Sequence, residues 1–90
     1  MHFVYILKSL KSGRHYIGET KDLSERLQRH NNNRNKYTKG KGPWEIVVYC
    51  RVENKSQAVK LERKLKSLKN SLKAIDYVKS HCEKIEHSDF

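Results

Sequence analysis

The sequence predicts an α+β or mixed α/β fold, in the order β-β-α-β-α-α, with a small sheet covered by helices. Three observations carry this. The 90 residues suffice for one domain and one core. Two apolar runs, Phe3-Val4-Tyr5-Ile6-Leu7 and Ile46-Val47-Val48-Tyr49-Cys50, have the length of strands and are far too short to span a membrane. Three stretches that open on polar capping residues then place apolar side chains at helical spacing.

The first apolar run, residues 3–7, is apolar on both alternating faces, so it reads as a strand buried on both sides and central in its sheet. Ser12-Gly13 marks a turn, and residues 14–18 read as a second strand, giving an antiparallel hairpin. Thr20 or Asp22 caps a first helix that runs to about His30, where Asn31, Asn32 and Asn33 stop it. Residues 34–43 are polar, basic and glycine-containing, the composition of a long loop. The third strand covers residues 44–51, rich in β-branched and aromatic side chains. Asn54 or Ser56 caps a second helix reaching about Leu68. Asn70 or Ser71 caps a third, with Leu72, Ile75 and Val78 on one stripe. Residues 81–90 lack periodicity and are expected to fray, leaving 1–80 as the domain.

Charge points to the partner. Twenty Lys and Arg face ten Asp and Glu, a net charge of +10, which calls for an anion, most often phosphate. Arg34, Lys36, Lys39 and Lys41 crowd one loop with Tyr37, and Trp44 follows. Basic residues interleaved with aromatics suit a nucleic-acid backbone and an unstacked base, and they equally describe a solvated loop. The start of the chain lacks the layout of a signal peptide. Cys50 and Cys82 are therefore expected to be free thiols in a reducing cytoplasm.

Several polar residues border apolar stripes. On the second helix, Ala58, Leu61, Leu65 and Leu68 form the stripe and Glu62 lies beside it. A carboxylate there is either an ion-pair partner of a neighbouring cation, or a metal ligand or catalytic group. On the first helix, Arg26 and His30 lie one turn apart beside Leu23 and Leu27. Arg26 either packs its stem over the core edge or holds a phosphate; His30 is a satisfied or exposed side chain, or an acid, a base or a phosphate contact. Tyr5 and Tyr16 sit on neighbouring strands, where core packing is the ordinary role of tyrosine. Together, two phenols, an Arg, a His and a half-buried Glu would suit phosphodiester cleavage. His81, Cys82 and His87 do not form a zinc spacing, and no P-loop, dinucleotide fingerprint or nucleophile elbow occurs.

These residues resemble the GIY-YIG nuclease superfamily. Phe3-Val4-Tyr5 looks like its first motif, and Tyr16-Ile17-Gly18 matches its second. The likeness runs on through Glu19-Thr20-Lys21-Asp22-Leu23, Arg26, His30, Tyr37-Thr38-Lys39-Gly40 and Ala58-Val59-Lys60-Leu61-Glu62, covering roughly residues 2–70. It is most similar to small stand-alone members and to the nuclease domain found at the N-terminus of an excinuclease. The resemblance implies a three-stranded antiparallel sheet flanked by helices. It also implies a magnesium-dependent DNA endonuclease, with a role in DNA repair or recombination and no small-molecule cofactor.

By the same resemblance, Tyr5 is the general base on water and Tyr16 arranges base, water and phosphate. Arg26 steadies the scissile phosphate, His30 occupies a position where several members have histidine, and Glu62 binds the metal. Arg26 and the metal would favour the Tyr5 phenolate. Phe3 and Val4 depart from the first motif's lettering. Asn70 follows Glu62 too soon to be assigned as the family's late asparagine. The reading from another class is a non-catalytic nucleic-acid-binding module on the same scaffold.

Overall fold

The computed structural model describes residues 1–32 and 39–82. Strand β1 (His2–Ser9) lies between β2 (His15–Thr20) and β3 (Trp44–Val52), both antiparallel to it, so the sheet order is β2-β1-β3. The central place of β1 explains its doubly apolar sequence, because the sheet is covered on both faces. On one face Val4 and Ile6 join Val48, Cys50, Ala58, Leu65, Ala74 and Val78. On the other, Tyr5 and Leu7 join Leu23, Trp44 and Ile46.

The register against β3 is irregular between Ile6 and Leu7. Ile6 faces Val48 but Leu7 faces Ile46, so Val47 is the extra residue. This bulge turns even-numbered β3 residues from one face to the other. Val48 and Cys50 meet the helices α2 (Lys55–Ser67) and α3 (Ser71–His81), while Trp44 and Ile46 meet α1 (Leu23–Asn31). Trp44 thereby shares the face of Tyr5.

Each helix opens on a side-chain cap. Asp22, Asn54 and Asn70 accept from the backbone N–H of Glu25, Gln57 and Lys73. Thr20 instead exchanges bonds with the Asp22 backbone through its hydroxyl.

Three expectations change. Cys50 and Cys82 are not free thiols but a disulfide, their Cα atoms 5.6 Å apart. Cys50 is buried on β3 and the C-terminal cap of α3 docks over it, a pairing that cysteine count alone does not show. Leu72 is not part of the α3 stripe: it is 69% exposed, and Ala74, Ile75 and Val78 make the buried face. Of the tail over 81–90 expected to fray, His81 ends α3 and Cys82 is disulfide-bonded, while residues 83–90 lie outside the described residues.

Candidate active site

Tyr5 stands opposite Gly18 in the β1–β2 ladder. Its phenol crosses the backbone there. A Cβ on Gly18 would come within 2.5 Å of the Tyr5 hydroxyl and 3.0 Å of the Tyr16 ring. Gly18 is therefore the gap through which Tyr5 reaches α1.

In the last turn of α1, His30 is fully buried, and its Nε2 lies 3.1 Å from Tyr5 Oη. Burial, and next the charge of Arg26, push the imidazole down to about 4, so it is neutral at pH 7. Burial, then Tyr16, push the Tyr5 phenol well above its ordinary range, and the opposing pull of Arg26 does not offset them. Without a metal beside it Tyr5 is thus protonated, and the charge of Arg26 by itself does not produce a phenolate. In this contact the phenol donates to Nε2 when the imidazole proton is on Nδ1, and accepts from it in the other tautomer.

Tyr16 packs edge-on to His30 with ring centroids 4.9 Å apart, and Trp44 lies 6.5 Å from the same ring. Asn31 fixes this end of α1. Its side-chain Nδ2 donates to the Trp44 carbonyl at 3.2 Å, and its Oδ1 accepts from the Trp44 N–H at 2.6 Å. One side-chain amide thus copies the pairing of a strand and ties the helix carrying His30 to β3. The sequence presents Asn31 only as part of a helix stop.

Arg26 sits one turn before His30, and its charge pulls the Tyr5 phenol downward against burial. Its Nε is buried and meets no acceptor among the described residues. Glu62 is half-buried on α2 and its charge is felt at Tyr5. It pairs with Lys66 one turn along at 3.2 Å, as the ion-pair reading expects. Lys66 is largely exposed, so this pair is weak and leaves the carboxylate accessible.

A family model described as the GIY-YIG catalytic domain matches residues 1–76. The chain belongs to the GIY-YIG family. It is 38% identical over 79 residues to the UPF0213 protein OB0043 of Oceanobacillus iheyensis, covering 84% of this chain and 91% of that one. The UPF0213 protein SSP2268 of Staphylococcus saprophyticus is 37% identical over 73 residues, 80% of this chain and 88% of the relative. The solution NMR structure of the UPF0213 protein BH0048 from Bacillus halodurans superposes with a TM-score of 0.53 at 32% identity. That alignment covers 91% of this chain and 86% of the other.

Within this GIY-YIG domain the structure brings Tyr5, Tyr16, Arg26 and His30 into one cluster with Glu62 at its side. The loop residues divide. Arg34, Lys36 and Tyr37 lie outside the described residues; Lys39 and Lys41 are exposed. Trp44 is buried and packs in the core, so it is not a platform for a base. No helix among the described residues is long and apolar enough to cross a membrane.

Proposed function

We propose that this GIY-YIG protein is a divalent-metal-dependent DNA endonuclease. The observation that carries the reading is the Tyr5–His30 hydrogen bond beside Arg26, whose buried Nε meets no acceptor among the described residues. A guanidinium held this close to the Tyr5–His30 pair suits the recognition of a phosphate by its charge and fork of donors. The net charge of +10 attracts such a substrate.

Glu62 supplies a hard oxygen donor whose charge is felt at Tyr5, and no cluster of three or more ligating side chains occurs among the described residues. A single carboxylate fits magnesium, which keeps most of its waters and is completed by substrate phosphate. When bound there, the ion would neutralise charge on the leaving oxygen.

The chain's own residues supply the rest. The Arg26 guanidinium donates to a non-bridging phosphate oxygen and holds it through the charge build-up of attack. Water forms the new bond to phosphorus as the bond to the leaving oxygen breaks. Its proton passes to Tyr5 Oη while the phenol proton moves to His30 Nε2. This relay needs no free phenolate, which agrees with the raised phenol and the lowered imidazole. Tyr16 keeps His30 and Tyr5 in place by ring packing. Arg34, Lys36, Tyr37, Lys39 and Lys41 extend the cationic path for the strand. The likeness to the excinuclease nuclease domain supports a role in DNA repair.

Tyr5→Phe tests the relay, since it keeps the ring and deletes the hydroxyl. Single-turnover cleavage should fall about 10²–10⁴-fold with the circular dichroism spectrum unchanged. A folded variant that cuts like wild type would remove Tyr5 from the reaction.

A further inference from the structure

The Cys50–Cys82 disulfide is not sealed inside the core. Both half-cystines line a cleft of about 410 Å³, where the end of β3 and the first turn of α2 meet the end of α3. The volume lies within the range of small-molecule sites, about 300–1,000 Å³. Val52 gives the cleft an apolar wall, while Arg51, Gln57 and His81 bring hydrogen-bonding side chains to it. A small polar molecule suits such a lining.

The two sulfur-bearing residues differ in access. Cys50 is 6% exposed and packs with Val4, Val48, Ala58 and Val78. Cys82 caps α3, is only half-buried and touches that cluster from its edge. In thiol–disulfide exchange, access decides which sulfur is attacked. Cys82 is therefore the sulfur that an entering thiol meets, and Cys50 is the one that leaves.

Opening the bond releases little structure. It joins β3 to the residue just past α3. Without it, α3 keeps its buried face of Ala74, Ile75 and Val78 and its Asn70 cap. A free Cys50 stays in place as a small hydrophobe. Opening is thus confined to the end of α3, the kind of local event that leaves the rest of a domain folded.

We propose that the Cys50–Cys82 bridge is a thiol-exchange site, at which a small polar thiol enters the cleft and forms a mixed disulfide with Cys82. The entering thiolate bonds to Cys82 Sγ as the Cys50–Cys82 bond breaks. The electron pair goes to Cys50 Sγ, which takes a proton from water. A second thiolate attacks the sulfur of the first, forming the small disulfide and releasing Cys82, which is protonated in turn. Two small thiols are oxidised to one disulfide while the bridge is reduced to two thiols. The small disulfide drives the same steps backward. The exchange is independent of the cleavage proposed above, and the two sites share no residue.

The test uses reduced and oxidised glutathione on the full chain under native conditions. Samples are quenched in acid, alkylated and weighed by mass spectrometry, with amide chemical shifts as the structural control. Reduced glutathione should convert the bridge to two thiols, and oxidised glutathione should restore it. The amides of His81 and Cys82 should move, while those of Tyr5, Tyr16 and His30 stay in place. Two variants locate the attacked sulfur. With oxidised glutathione, Cys50→Ala should be labelled on Cys82 about tenfold faster than Cys82→Ala is labelled on Cys50, and denaturant should remove the difference. The wild-type conversion requires no substitution, so it decides the matter even where a variant does not fold.

A native bridge that resists reduced glutathione and opens only in denaturant would overturn the proposal, leaving a structural brace. So would a dithiol protein that oxidised glutathione does not close. Folded variants labelled at equal rates would refute Cys82 as the attacked sulfur. Loss of the native Tyr5 and His30 amide shifts on reduction would refute a local exchange site.

Discussion

Replacing Gly18 by alanine adds one methyl group, and the structure says where it goes. The new Cβ would lie 2.5 Å from Tyr5 Oη and 2.7 Å from Tyr5 Cζ, whereas ordinary contact begins at 3.4 Å. The phenol must therefore retreat by about 0.9 Å, the difference between 3.4 and 2.5 Å. It has little room, because Tyr5 is 1% exposed and its hydroxyl is bonded to the fully buried His30. Overpacking of this kind costs roughly 1–3 kcal/mol of stability. The larger effect falls on chemistry, since a misplacement of about 1 Å at a reacting group can cost on the order of 10²-fold in rate. The assay is single-turnover DNA cleavage at a temperature where denaturant melts show the variant folded. A Gly18→Ala protein that is as stable and as active as wild type would refute the claim that Gly18 is the passage for the Tyr5 phenol.

Two further predictions follow from burial and connectivity. The His30 imidazole, held near 4 against an ordinary 6.5, stays neutral in the folded protein while the unfolded chain takes up a proton. Its stability contribution is full above pH 6.5 and is lost as pH falls toward 4, up to about 3 kcal/mol. Imidazole NMR should show no His30 titration above about pH 5, and the acid limb of cleavage should follow it; a midpoint near 6.5 would contradict the buried neutral ring. The Cys50–Cys82 disulfide spans a sequence separation of 32. Chain entropy for a loop of that length gives about 3–4 kcal/mol. Thermal melts with and without reductant should differ accordingly, and a change under about 1 kcal/mol would contradict the bridge as a major stabiliser.

The sequence made some of this legible because its signals were local. The doubly apolar β1, the three asparagine and aspartate caps and the lean of Arg26, His30 and Glu62 toward the core all follow from periodicity. What remained hidden depends on partners distant in the chain. The Val47 bulge, which puts Trp44 on the Tyr5 face, breaks the alternation from which facing is read. The disulfide needs the docking of α3 on β3, and the Asn31 clamp needs the start of β3 to lie beside the end of α1. The protonation of Tyr5 turned on burial, which nearby charges alone do not reveal.

Metal-dependent hydrolysis at this cluster is tested most directly by one cleavage assay. The purified protein and its Glu62→Gln variant are incubated with single-stranded, duplex, branched and nicked DNA, in magnesium and in chelator. Wild type should cut in magnesium only, and Glu62→Gln should not cut at all. The variant should still bind DNA and should match wild-type stability within about 1 kcal/mol, because the Lys66 pair it breaks is largely exposed. Cleavage by Glu62→Gln at the wild-type rate, or wild-type protein that binds every substrate and cuts none in magnesium, would contradict hydrolysis at this site.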